Sequence, residues 1–211
     1  RREAPCSSPM ITMASCRTRS LLEQSSQFYE YMANLPYVNA DETIVTGHSM
    51  GGGAALVLGV LEGAKGVMSA SSTPGTYFSN VDEFMDAYNN YEGDVMLSWG
   101  WCELKTVPGD AEGFKAATEQ RGLVEYARNH TGDQTIQGLE SGKVYGSFEE
   151  GNAFVVNGED RIHEGAFVSS DCIGNLVDFG QQVVGDDVPN YIDSSDQVWQ
   201  YKDYAALFGI F

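Results

Sequence analysis

Residues 43–59 read TIVTGHSMGGGAALVLG, and this stretch decides the fold. The β-branched run 43–46 predicts a buried strand, and the small-residue pattern 50–61 predicts a helix. Between them, Gly47-His48-Ser49-Met50-Gly51 sets a serine on the turn. A serine hydroxyl is a poor nucleophile unless it is exposed, fixed in position and close to a base. A sharp strand-to-helix turn lifts the side chain above the sheet edge. The residues two before and two after must then be small, because other backbone passes close to them. Gly47 and Gly51 meet that need, and the helix start at Met50 aims its amides at any oxyanion formed there. Gly-x-Ser-x-Gly arises by chance at roughly one position in 3,000, or about one random chain in fifteen of this length. The pentapeptide therefore takes its weight from the strand before it and the helix after it. The competing reading is a Gly-rich helix start with an idle serine.

Outward from the turn, the pattern alternates. Leu21, Leu22, Phe28, Met32 and Leu35 recur at helical spacing, and Pro36 with Asn39-Ala40-Asp41 ends that helix. Residues 66–71 (GVMSAS), 95–99 (VMLSW) and 153–157 (AFVVN) read as further short apolar strands. Helices are expected over 82–91, over 110–129 and over 171–184, the last with Cys172, Leu176, Phe179 and Val183 on one face. Residues 138–151 read as a Gly-rich loop, and 196–211 as an aromatic-rich helix. Short apolar strands separated by helices predict an α/β domain, a mostly parallel sheet with helices on both faces. The expected organisation is a poorly ordered arm or truncated start at 1–20, the domain at 21–190 and a C-terminal segment at 191–211.

Composition bounds the function. The chain has 211 residues, 42% of them hydrophobic, which suits one folded domain with a real core. Its 12 basic against 30 acidic residues give a net charge of −18, which argues against a nucleic-acid partner. Cys6, Cys16, Cys102 and Cys172 are scattered without metal-ligand spacing, and with only three histidines a zinc site is not expected. No cofactor or metal is implied.

Gly47-His48-Ser49-Met50-Gly51-Gly52 closely resembles the nucleophile elbow of α/β-hydrolases of the bacterial esterase and lipase type. The resemblance extends through YMANLPYVNADETIVTGHSMGGGAA, and the element order from about Leu21 to Val184 is similar to the C-terminal part of that fold. It implies a triad in chain order serine, acid, histidine. His163, in EDRIHEGAF between the last strand and the 171–184 helix, takes the place of the base. His130, in ARNHTGD, reads as a solvated surface residue. The family usually carries an Asp just after the strand 95–99. Cys102 stands there instead, and Glu103 is the nearest carboxylate, with Asp110 and Asp160 as alternatives. A Glu can do the job, since the requirement is to orient the imidazole and stabilise its cation.

The implied function is hydrolysis of carboxylic esters through an acyl-serine, with a small-molecule ester or acyl substrate. Ser49 would be the nucleophile, His163 the base, Glu103 the acid and the Met50 amide an oxyanion donor. The alternatives are an inactive hydrolase-like binding module and an acyltransferase using the same triad. Two departures from the family bear on this choice. Only 48 residues precede Ser49, and they lack a His-Gly or Gly-Gly pair for the second oxyanion donor, so the first strands are expected to be missing. The chain alone is then expected to be a weak catalyst or none. The C-terminal DSSDQVWQYKDYAALFGIF reads as an amphipathic helix docking Val198, Trp199, Tyr201 and Leu207 on the core. It also resembles the segment that leads, in some bacterial relatives, to a membrane segment beyond the C-terminus. The stretch 105–150 is expected to cover the site.

Overall fold

The computed structural model describes residues 23–73, 81–185 and 191–209; the expected arm at 1–20 lies outside them. In chain order the elements are helix α1 over 23–33, strand β1 (Ile44–His48), α2 (Met50–Leu61), β2 (Gly66–Ala70), α3 (Val81–Tyr88) and β3 (Asp94–Gly100). There follow α4 (Trp101–Leu104), α5 (Ala111–Gln120), α6 (Leu123–Thr131), β4 (Val144–Tyr145), β5 (Phe154–Glu159), α7 (Ser170–Val184) and α8 (Trp199–Gly209). Short 3₁₀ turns cover Ala40–Glu42 and His163–Val168.

The sheet order is β1-β2-β3-β5-β4, with every pair parallel except β4 against β5. The chain is thus an α/β protein with a mostly parallel sheet, as its alternation of short apolar strands and helices predicts. β2 and β3 are buried along their whole length, whereas β1, at the edge of the described sheet, is only partly covered. Period-two alternation divides the apolar side chains between the two faces. Val67, Val95, Leu97, Phe154 and Val156 join Leu56, Val57 and Val60 of α2, Phe84 and Tyr88 of α3, and Leu123 and Ala127 of α6. On the other face Met68, Met96 and Val155 pack with Cys172, Phe179 and Val183 of α7. The parallel register His48↔Ala70, Ala70↔Ser98 and Gly100↔Glu159 brings the carboxyl ends of four strands to one edge. That edge is where open α/β sheets place their sites.

Four expectations need correction. The single helix over 110–129 is two, broken at Gly122, whose φ of 73° is left-handed. The loop 138–151 contains β4, two residues too short for a period to show. The stretch 105–150 does not simply cover a site. It includes α5 and α6, whose Phe114, Leu123, Val124 and Ala127 belong to the main core. Finally, α8 is held by side-chain amides, Gln197 on the Ser170 carbonyl and Gln200 on its hydroxyl. Val198 and Tyr201 are exposed, not docked. No described helix is long and apolar enough to cross a membrane.

Candidate active site

Ser49 sits between β1 and α2 with φ 56° and ψ −121°, a conformation uncommon for a non-glycine residue. Its amide donates to the Ala70 carbonyl at 2.8 Å and its carbonyl accepts from Gly53 at 3.1 Å, so neighbouring backbone holds the strained turn. Gly47 is small for the expected reason: a Cβ there would lie 2.2 Å from the Gly51 carbonyl oxygen. Gly51 itself faces open space, and Gly52 is the second close approach, 2.8 Å from the Ala70 carbonyl for a Cβ. The tight contact comes one residue later than the motif implies, because α2 lies over β2 at Gly52. Met50, first residue of α2, carries an amide with no intrahelical acceptor.

His163 opens the 3₁₀ turn after β5, and its Nε2 lies 2.9 Å from Ser49 Oγ. Its Nδ1 lies 2.7 Å from Oε1 of Glu103. A carboxylate only accepts, so Nδ1 carries the proton that it donates, and Nε2 is free to accept from the serine. Glu103 reaches this point from α4, the single turn that follows β3. Its other oxygen, Oε2, accepts from the Gly100 amide at 2.9 Å, the Ser71 hydroxyl at 2.8 Å and the Arg161 guanidinium at 3.1 Å. Burial pushes the Glu103 carboxyl up. The hydrogen bonds from His163, Gly100 and Ser71 and the Arg161 charge outweigh that, so its pKa lies below the ordinary value. The carboxylate is therefore ionised at neutral pH.

The other sequence candidates lie elsewhere. Asp110 caps α5, accepting from the Gly113 amide at 2.9 Å. Asp160 is exposed. Cys102 turns its thiol to the Arg161 carbonyl at 3.2 Å. His48, just before Ser49, packs its ring against His163 in a tilted arrangement, 4.8 Å between centroids, and edge-on against Phe167 at 4.9 Å. Burial lowers its pKa below the ordinary value.

His130 is not a solvated surface residue. It is 7% exposed, on the inner face of α6 against Tyr88, Tyr91 and Phe154. The polar sequence around it, ARNHTGD, describes the outer face of that helix. Arg161 and Glu159 were not singled out from the sequence, yet they pack directly behind Glu103. The alternation Glu159-Asp160-Arg161-Ile162-His163, which continues the strand's inward face, is the signal that could have found them.

Among the described residues no group of three or more His, Cys, Asp or Glu side chains could hold a metal ion. A nucleophile, a base in hydrogen-bond contact and an ionised carboxylate behind it can perform covalent acyl transfer without one. No family model matches the sequence, and neither the curated proteins nor the solved structures yield a match to it.

Proposed function

We propose that this chain is a serine hydrolase of the α/β-hydrolase fold that cleaves carboxylic esters through an acyl-serine intermediate. One observation carries the reading. Ser49, Glu103 and His163, drawn from the ends of three different strands, join in an unbroken hydrogen-bond chain. Such a chain serves no evident packing need, since the His163 side chain is 41% exposed.

In the proposed reaction Ser49 Oγ attacks the ester carbonyl carbon while His163 Nε2 takes its proton. The carbonyl oxygen becomes an oxyanion, to which the Met50 amide donates. The tetrahedral intermediate collapses as His163 returns the proton to the departing alkoxide, releasing an alcohol and leaving acyl-Ser49. A water molecule, deprotonated by the same nitrogen, repeats the sequence to free the acid. Throughout, Glu103 holds the tautomer and stabilises the imidazolium. The exposure of His163 favours hydrolysis over acyl transfer to another acceptor, because water reaches the base directly. The strained φ of Ser49 favours a working nucleophile over an idle serine.

A fluorophosphonate probe tests this without knowledge of the natural substrate. The wild type is expected to label, and Ser49→Ala to lose labelling together with hydrolysis of p-nitrophenyl butyrate. A folded wild type that neither labels nor hydrolyses would support the binding-module reading instead.

A further inference from the structure

Behind the triad acid lies a buried ion pair that the reaction above does not use. The Arg161 side chain is 2% exposed and that of Glu159 is not exposed at all. Neither can touch a substrate. The guanidinium makes contacts through all three nitrogens. Nη1 donates to Glu103 Oε2 at 3.1 Å and to Ser71 Oγ at 2.9 Å. Nη2 donates to the carbonyl and hydroxyl of Ser98 at 3.3 and 3.2 Å. Nε donates to Glu159 Oε2 at 2.5 Å. Glu159 is itself fixed by Ser98 Oγ at 3.1 Å and by Asn175 Nδ2, from α7, at 2.9 Å.

We infer that Arg161, clamped by Glu159, is the positioning residue of the triad acid, and that Glu159 preserves the negative charge behind His163. The inference rests on the proposed triad. Three donors, from Gly100, Ser71 and Arg161, converge on Oε2 of Glu103 and leave Oε1 to His163. That division stops the carboxylate from rotating. Ser71, which bridges Arg161 and Glu103, is held at a left-handed φ of 59°, a second strained non-glycine residue beside the first. Gly100 admits the arrangement, since a Cβ there would lie 2.2 Å from the Arg161 carbonyl.

Charge gives the reason for the second carboxylate. Arg161 alone would cancel Glu103, and nothing would remain to stabilise the imidazolium formed during catalysis. With Glu159 included, the three groups sum to one net negative charge facing His163. A buried ionic cluster is a weak source of stability, and apolar residues of equal volume often do as well. Its value here is orientation. Arg suits this task better than Lys because its planar fork fixes several acceptors at set angles.

The test compares Arg161→Met/Glu159→Met, which removes one charge of each sign and keeps the net charge of the cluster at minus one, with Arg161→Met, Arg161→Lys and Glu159→Gln. In the folded double variant kcat on p-nitrophenyl butyrate should fall by about 10- to 100-fold with KM nearly unchanged, the cost of a slightly misplaced group. Arg161→Lys should recover more of the rate than Arg161→Met does. Glu159→Gln should move the acidic limb of kcat/KM to lower pH, because Glu103 and Arg161 then leave no net negative charge behind His163, and the His48 ring beside it is held toward its neutral form by burial. Proton NMR supplies a readout independent of turnover. The low-field Nδ1 proton of His163, assigned with His163→Gln, should be present in the wild type and lost or broadened in the double variant. A folded double variant with kcat within about two-fold and an unchanged His163 proton would overturn the inference. A wild type without activity whose His163 proton is lost only in the double variant would defeat the proposed function and leave the positioning role supported.

Discussion

His163 and His130 carry the same ring into opposite surroundings. His163 stands at the open edge of the sheet between a hydroxyl and an ionised carboxylate. His130 lies 5.5 Å from the ring of Tyr88 and 6.0 Å from that of Tyr91, and neither of its nitrogens finds a hydrogen-bond partner in good geometry. Burial pushes its pKa down to about 4, against a weaker upward pull from the Ala153 and Gly93 backbone. One imidazole can be stabilised as a cation where it stands, and the other is an aromatic filler that must stay neutral. Proton chemistry at neutral pH needs the first environment. Under the proposed reaction, compensating charge, more than burial, is what distinguishes the histidine that would act as base.

The widest separation between the two rings should appear in turnover. His163→Ala is expected to reduce ester hydrolysis by about 10⁴-fold or more, while His130→Phe leaves kcat/KM unchanged in the folded protein. Comparable losses in both variants would erase the distinction. Next, Glu103→Gln should cost about 10²- to 10⁴-fold in kcat, since an amide can favour the wrong tautomer. Asp110→Asn should leave the rate alone. Steady-state kinetics on the two purified variants decides between the carboxylates.

A third prediction concerns stability against pH. His130 titrates lower in the folded chain than in the unfolded one, where its pKa is near 6.5. Its neutral form is the one that folding favours. The stability it leaves intact is therefore full above pH 6.5 and is lost as the pH falls toward 4. The shift amounts to ~3 kcal/mol at 1.36 kcal/mol per unit. Urea unfolding across that window should show the loss in the wild type, and His130→Phe should flatten it. The smallest effect belongs to Asp110. Replacing it by Ala removes the cap of α5 and should lower stability by about 1 kcal/mol with no change in turnover.

Much of the site was legible in the sequence because its signals are local. A strand, a turn and a helix are written within residues 43–61, and each depends on near neighbours. The placement of Glu103 drew instead on the family resemblance, which implies an acid just after the strand 95–99, where Glu103 is the nearest carboxylate. α8 shows where such reading ends. Its aromatic residues suggested a docked face, yet Tyr201 is 74% exposed and the helix is tied down by Gln197 and Gln200. Polarity along one helix gives the spacing of its faces, but which face meets the core depends on what packs there.

By itself, then, the sequence determined the alternation of short apolar strands and helices, the mostly parallel sheet and the strand-to-helix turn that carries Ser49, but not the break between α5 and α6 or the short β4. These follow from backbone preference and from apolar periodicity, which act over a few residues. Only the tertiary structure decided that His130 is buried, since its walls come from α3, from Tyr91 beyond it and from β5. It alone showed that Gly52 rather than Gly51 makes the close contact, because that depends on how α2 lies over Ala70. It also set Arg161 between Glu103 and Glu159, a pairing across β3, β5 and the turns that follow them. A guanidinium finds its partners through space, and nothing in the spacing of residues along the chain encodes the angle at which two strand ends converge.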